Sequence, residues 1–412
     1  MSLYGTIGVK FLLDISLFIN FLFSVIVLGA FGIWIYLLVV LKRSFTLSPV
    51  ILKGNEYHGD GDLISVIIPA RNEEKYIQKC VASLLDQNID NYEILLVDDN
   101  STDSTFEIIQ RFQENTRIRI FKAGPKPEGW IGKNWPCYIG YTNSRGNYLM
   151  FTDADTIHSR NSIKDSVHTL REEKLDVLTA VPKLKYPNLI VKLVLPILSV
   201  FMFSRYSPMR VNDPRVKIGY LFGSFFVITR ECYERVGTHE AVKSEIVEDG
   251  ALGKKLKEEG YKLKMFRGEN LLEAFWARDF STLWNSLKRL IVPLFFTDRT
   301  NSVVMTVGIF LLMGFPFLVI LYCLLVIALN PEPNLSVYLL LSFSILCVVS
   351  IFMINYYQLK KANTHNTLYF LGAPVGCVVV SFSFVWSILT SKNNAKIRWR
   401  DREYNYSNGV SI

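Results

Sequence analysis

Four uncharged apolar stretches set the plan of the chain. Ile15 to Leu41 is 27 residues without a charge, closed by Lys42 and Arg43. At 1.5 Å per residue such a helix crosses a hydrocarbon core of about 30 Å. Its length and the lack of a small-residue cleavage site make it an anchor rather than a signal peptide. Val303–Leu329, Leu335–Tyr357 and Thr367–Leu389 are three more candidate spans. Two shorter segments read as interfacial. Residues 189–204 are apolar but carry Lys192 and Pro196. In 280–296, Leu283, Trp284, Leu287, Leu290 and Ile291 oppose Lys288 and Arg289, an amphipathic pattern that fits the headgroup level or a helix packed on a soluble core.

Between the first two spans the pattern changes to short apolar runs alternating with helical spacing. Leu63–Pro69 predicts a buried strand. Glu74–Gln87, with Ile77, Val81, Leu84 and Leu85, predicts a helix, Tyr92–Val97 a second strand and Ser101–Glu114 a second helix. Arg117–Phe121, Tyr148–Thr152 and Val177–Val181 are further strand candidates. This alternation predicts an α/β domain with a mainly parallel, helix-covered sheet. Four regions follow: an anchor over 1–42, a cytosolic domain over 43–300, a membrane region over 301–390 with two to three helices, and a basic tail over 391–412.

Charge refines this plan. Lys42 and Arg43 predict a cytoplasmic middle region at a multi-pass cell-membrane protein, and Lys360 and Lys361 fall on the same side. Three C-terminal crossings would leave the tail cations Lys392, Lys396, Arg398, Arg400 and Arg402 outside. Either the tail breaks the positive-inside rule, or the last segment, with G-A-P-V-G at 372–376, is re-entrant. The formal net charge of +8 is spread thinly, since residues 42–300 carry 37 basic and 33 acidic groups. No basic block interleaved with aromatics occurs there, so no nucleic-acid partner is expected. Six cysteines without a C-x-x-C pair or zinc spacing predict neither a disulfide framework nor zinc. The candidate spans hold no interior Asp, Glu, Lys or Arg, which argues against a transporter. A membrane scaffold is the other non-enzyme alternative.

Three acidic motifs carry candidate chemistry. Asp98 and Asp99, in V-D-D-N-S-T-D-S-T, follow a strand directly and repel each other unless they bind a base, a ribose or a metal. Helix capping by Asn100 or Ser101 explains the polar residues after them, though not the pair. Asp153 and Asp155, in F-T-D-A-D-T, end another strand. Alternate residues there reach a ligand differently, so one carboxylate can take Mg²⁺ or Mn²⁺ and the other a ribose or a metal-bound water. Glu248 and Asp249, in I-V-E-D-G, open a helical run. The helix dipole alone favours acids there, whereas the functional reading makes Asp249 a general base.

In this order the three sites resemble the family 2 inverting glycosyltransferases of GT-A fold, over roughly residues 63–290. V-I-I-P-A-R-N-E-E at 66–74 resembles the family's opening strand and Asn-Glu turn. The resemblance implies nucleotide contacts from Pro69, Ala70, Asn72, Glu73, Asp98, Asp99 and Asp153. Lys133, in G-W-I-G-K-N-W, is similar to the family's lysine near the donor pyrophosphate. G-S-F-F-V-I-T-R-E at 223–231 resembles the segment before the acceptor side. G-T-H-E-A-V-K-S-E-I-V-E-D at 237–249, with W-R-D-R-E-Y after the last span, resembles the membrane-bound branch that includes carotenoid- and hopanoid-associated enzymes. Thr238 departs from it, standing where the family more often has a second glycine.

The resemblance implies a GT-A, Rossmann-like nucleotide-diphospho-sugar transferase domain with one N-terminal and two to three C-terminal transmembrane helices. It also implies transfer of one sugar from a nucleotide-diphosphate sugar to a membrane lipid at the cytoplasmic face, with Mg²⁺ or Mn²⁺ on Asp155 and Asp153. Asp249 and Glu248 are the implied catalytic carboxylates. His239, Arg278 and Trp284 are candidates for acceptor or diphosphate contacts, His239 equally for a structural hydrogen bond. A polyprenyl-phosphate sugar synthase would share the donor site. A processive polysaccharide synthase is disfavoured, since A-R-D-F-S-T-L-W and A-K-I-R-W both miss the Q-x-x-R-W pattern.

Overall fold

The computed structural model describes residues 3–54, 61–362, 366–391, 395–399, 402–407 and 410–411, with the backbone alone at 3–13, 395–399, 404–407 and 410–411. They fall into two compact units. Met1–Arg43, Pro187–Ser204 and Leu290–Lys392 form one, and Ser44–Tyr186, Arg205–Arg289 and Asn393–Ile412 form the other.

The second unit is built on an eight-stranded mixed sheet. Its strands are β1 (Ile64–Ala70), β2 (Tyr92–Asp98), β3 (Ile118–Lys122), β4 (Tyr148–Phe151), β5 (Ile157–His158), β6 (Val177–Leu184), β7 (Phe226–Thr229) and β8 (Leu263–Ala274), in the order β3-β2-β1-β4-β7-β6-β8-β5. β1 to β4 pair in parallel, while β7 runs antiparallel to β4 and β6. Strands covered on both faces read as unbroken apolar runs, which is why β1 and β2 were legible. Ile64, Val66, Ile67 and Ile68 are wholly buried. Each such side chain contributes roughly 1.5–3 kcal/mol over its exposed state. The register sets Ala70 beside Asp98 and Ile67 beside Phe151, so the carboxyl ends of β1, β2 and β4 open onto one edge.

The covering helices start later than expected. Ile77–Leu85 buries Ile77, Cys80, Val81 and Leu84, at the predicted spacing. Thr105–Gln110 is shorter than predicted because residues 98–104 form a turn in which the Ser101 N–H donates to the Asp98 carboxylate at 3.3 Å. All six cysteines are free and buried. A three-stranded sheet closes the chain, β9 (Ala395–Trp399), β10 (Arg402–Ser407) and β11 (Val410–Ser411), and belongs to this unit. Arg400 and Lys392 of the expected basic tail lie outside the described residues, as do the side chains of Lys396 and Arg398.

Among the described residues four helices are long and apolar enough to cross a membrane: Asp14–Leu47, Leu189–Val211, Leu335–Lys361 and Thr367–Thr390. The predicted span at 303–329 is instead two helices, Arg299–Met313 and Phe315–Leu329, bent by 48° around Gly314. Polar contacts fix their packing within the first unit. Buried Asn20 bonds Ser336 at 3.0 Å and Tyr322 at 3.1 Å, and the Trp34 indole donates to the Leu312 carbonyl at 3.0 Å. The Lys42 and Lys361 ammonium groups lie 5.9 Å and 5.7 Å from the Tyr357 ring centre. In the G-A-P-V-G stretch a side-chain carbon on Gly376 would fall 2.5 Å from the Leu193 carbonyl. Only glycine admits that close helix approach.

Candidate active site

The site gathers where β1, β2 and β4 end. The Asp99 N–H donates to the Ala70 carbonyl at 2.8 Å, continuing the β1–β2 ladder into the turn. The turns after both strands pass through Asn72 and Asn100, with φ of 52° and 54°. Asparagine tolerates this left-handed conformation better than most residues. Thr102 N–H donates to Asn72 Oδ1 at 2.9 Å, and Glu73 N–H to Thr105 Oγ1 at 2.7 Å, stitching the two turns together. Pro69, Ala70, Arg71, Glu73, Asp99, Lys133, Pro136, Asp153 and Ala154 line one recess.

Of the predicted nucleotide residues, Pro69, Ala70, Glu73, Asp99, Lys133 and Asp153 therefore converge. Asp98 and Asn72 do not line this recess; both accept hydrogen bonds that hold the turns beside it.

Lys133 is the hinge of the charge arrangement. Its Nζ lies 2.7 Å from Asp153 Oδ1 and 3.1 Å from Glu248 Oε1. Burial alone would lower its pKa, but Asp153, Glu248 and Asp249 outweigh that and hold it well above the ordinary lysine value. Burial raises the pKa values of both Glu248 and Asp249, with Lys133 pulling the other way. Asp249 opens the helix Glu248–Glu258, and its two oxygens accept from Gly223 N–H and its own neighbour Gly250 N–H, both at 2.8 Å. A side-chain carbon on Gly223 would fall 2.6 Å from Lys133 Nζ and 2.7 Å from Asp249 Oδ2. The glycine thus lets a backbone N–H reach the carboxylate.

Asp155 is buried and ion-paired with Arg278, whose Nη2 also lies 2.6 Å from Glu73. The Arg278 guanidinium stacks 4.1 Å from the Tyr76 ring centre. Arg278 thereby ties the candidate metal ligand to the Asn-Glu turn. Among the described residues no three His, Cys, Asp or Glu side chains converge on a metal position. Mg²⁺ is commonly held by one or two carboxylates plus substrate phosphates, and Asp153 and Asp155 are of that donor type, each here ion-paired, with Lys133 and Arg278 respectively.

His239 is buried behind the site, with Nδ1 2.5 Å from the Tyr233 hydroxyl, and burial lowers its pKa to about 3. It does not line the recess, and its contacts match the structural alternative. Trp284 lies on the helix Phe280–Thr297 against Phe280, outside the recess lining. Thr238 has φ 59° and ψ −165°, a conformation that is essentially glycine's own, and its hydroxyl accepts from Glu240 N–H at 3.1 Å. The loop before Asp249 therefore keeps a glycine-type backbone while carrying a β-branched residue.

Three cations around Asp99 escaped the sequence reading. Arg71 Nη1 donates to the Asp99 and Asn100 carbonyls, both at 2.6 Å. Lys126 Nζ lies 3.3 Å from Asp99 Oδ2, and Arg402 Nη1 lies 2.7 Å from the same oxygen. Burial lowers the Lys126 pKa to about 8; Asp99 opposes this, and Arg402 adds to it. Arg71 and Arg402 did sit inside P-A-R-N-E-E and W-R-D-R-E-Y, whereas Lys126 carried no motif.

A mixed sheet with acidic strand ends facing a lysine and a helix-borne acid pair defines a nucleotide-sugar transferase fold of the GT-A kind. The Glycosyl transferase family 2 model matches residues 65–237. It is similar to the glycosyltransferase GlyG of Streptococcus pneumoniae, with 35% identity over 28% of this chain and 38% of that protein. It also resembles the 4,4'-diaponeurosporenoate glycosyltransferase of Staphylococcus aureus, with 26% identity over 53% of this chain and 57% of the relative. The chain thus spans about two fifths to just over half of these relatives. The mannosyltransferase PcManGT of Pyrobaculum calidifontis, solved with GDP-Man and Mn²⁺, shares the fold at TM-score 0.55 and 14% identity, covering 90% of this chain and all of that one.

Proposed function

We propose that this protein is a membrane-bound, inverting, metal-dependent glycosyltransferase that moves one sugar from a nucleotide-diphosphate sugar to a lipid acceptor at the cytoplasmic face. The observation that carries the reading is Lys133 bridging Asp153, on the donor side, to the Glu248–Asp249 pair. One similar protein is named for 4,4'-diaponeurosporenoate, which supports an apolar acceptor. The long apolar helices, with Lys42 and Arg43 closing the first, support a multi-pass protein whose sheet-bearing unit is cytoplasmic.

In the reaction the acceptor oxygen bonds to the anomeric carbon as the bond from that carbon to the diphosphate oxygen breaks on the opposite face. A hydroxyl acceptor's proton passes to Asp249, which Gly223 and Gly250 hold in place; a carboxylate acceptor has no proton to give, and Asp249 then only positions it. Glu248 keeps Lys133 placed, and Lys133 offsets the charge that grows on the leaving diphosphate. Asp155 and Asp153 would be the residues to hold a divalent ion, which would supply further neutralisation of that leaving group.

The direct test is to incubate the purified full chain with nucleotide sugars and Mn²⁺ or Mg²⁺. Mass spectrometry of lipids from cells with and without the protein then reads the product. A glycolipid mass shift with inverted anomeric configuration is expected. Absence of nucleotide-sugar binding and of hydrolysis would refute the proposal.

A further inference from the structure

We infer that the C-terminal β-hairpin is a strap on the donor site, and that Arg402 is its positioning residue. The inference rests on the nucleotide-sugar reading above. β9 and β10 pair antiparallel, with Arg402 opposite Trp399 at the start of β10. From there Arg402 reaches a carboxylate 303 positions earlier in the chain, placing Nη1 2.7 Å from Asp99 Oδ2 and Nη2 3.2 Å from the Asp99 carbonyl. Asp99 is 1% exposed, so this contact lies in the body of the protein, where ion pairs are weakly screened.

The two oxygens of Asp99 are treated differently. Oδ2 takes Arg402 and Lys126, while Oδ1 is buried without a hydrogen-bond partner. A buried acceptor left unpaired is costly, and a ligand N–H or O–H would recover that cost. The same Asp99 lines the recess with Lys133 and Asp153. Arg402 therefore holds the carboxylate from one side and leaves its other oxygen to a nucleoside donor group. A tail that merely plugged the recess would be expected to occupy that oxygen.

The test uses the full chain in detergent or nanodiscs, titrated with UDP, GDP, dTDP and CDP by calorimetry, with steady-state kinetics on the matching nucleotide sugar. Arg402→Ala is expected to raise the nucleotide Kd and the donor KM about tenfold or more, with kcat changed less than threefold. Arg402→Lys should recover part of that loss. In the Asp99→Asn background the Arg402→Ala effect should shrink, because the two residues act as a pair. A Kd within twofold of wild type in Arg402→Ala would overturn the strap, and tighter binding would replace it with an inhibitory plug. Should the alanine variant fail to fold, Arg402→Lys decides: a Kd raised threefold or more supports the strap, and a smaller change overturns it. Wild-type protein that binds none of the four nucleotides removes the glycosyltransferase reading and the strap together. Wild-type binding with an unaffected Arg402 variant removes the strap alone.

Discussion

Lys133 and Glu248 meet at 3.1 Å, joining the residue before one short helix to the first residue of another. Lys133 also lies 2.7 Å from Asp153, so a single ammonium group balances carboxylates from two parts of the site. Lys133→Met should therefore leave buried negative charges unpaired. Breaking a buried ion pair from one side typically costs about 3–5 kcal/mol. A lowered Tm together with a kcat/KM reduced at least 100-fold is expected from thermal melting and steady-state assays. Lys133→Arg should not restore activity, since a guanidinium does not replace a compact ammonium.

Burial raises the Glu248 and Asp249 pKa values, which fixes the direction of the pH response. A general base works deprotonated, so activity should fall as pH decreases, with its midpoint above the ordinary carboxylate value of about 4. For stability, a carboxyl raised on folding contributes fully below its unfolded pKa, and that contribution is lost as pH rises through the folded value. Asp249→Asn should abolish transfer while nucleotide binding persists. Loss of binding as well would assign Asp249 to the donor site instead.

Gly223→Ala tests how finely the base is placed. The added carbon meets the ends of the Lys133 and Asp249 side chains, both able to shift. Chemical denaturation should register only about 1 kcal/mol or less, since the cost falls on side-chain ends. Transfer should nevertheless drop at least tenfold, because small displacements of a reacting group are costly.

Thr238→Gly should stabilise the protein by about 1 kcal/mol. Strained backbone of this kind costs about 1–3 kcal/mol, offset in part by the lost hydroxyl contact to Glu240 N–H. Urea denaturation of the variant reads the sign directly.

Asp155→Asn should raise the Mn²⁺ concentration for half-maximal activity at least tenfold. A chelator should remove wild-type activity, and readdition of Mn²⁺ or Mg²⁺ should restore it. Arg278→Ala should lower the Tm, because Asp155 and Glu73 both lose the guanidinium.

The parts visible in the sequence were those in which local pattern and tertiary role coincide. β1 and β2 are apolar because both faces are covered, and the carboxylates at their ends stand out against that run. The Lys133 position came only through motif likeness, since nothing local distinguishes it from other lysines. Arg402 and Lys126 were invisible as partners of Asp99, because contacts made 303 and 27 positions away leave no periodic trace. β5, β7 and β8 were not foreseen: β7 inserts antiparallel between β4 and β6, and β8 runs parallel to β6 and antiparallel to the two-residue β5, outside any strand–helix–strand alternation. The span at 303–329 was read as one helix because composition does not report a bend at Gly314.

The strap also bears on a matter of counting. The chain leaves the sheet-bearing unit after Arg289 and returns to it by Asn393. If that unit stays on one side of a bilayer, the crossings in between must be even in number. Lys42 and Lys361 share the Tyr357 ring, which pairs the end of the first helix with the end of Leu335–Lys361. If the bent pair crosses once and Leu335–Lys361 once, that parity is met at Thr367, and the proposed topology then requires Thr367–Thr390 to begin and end on one side.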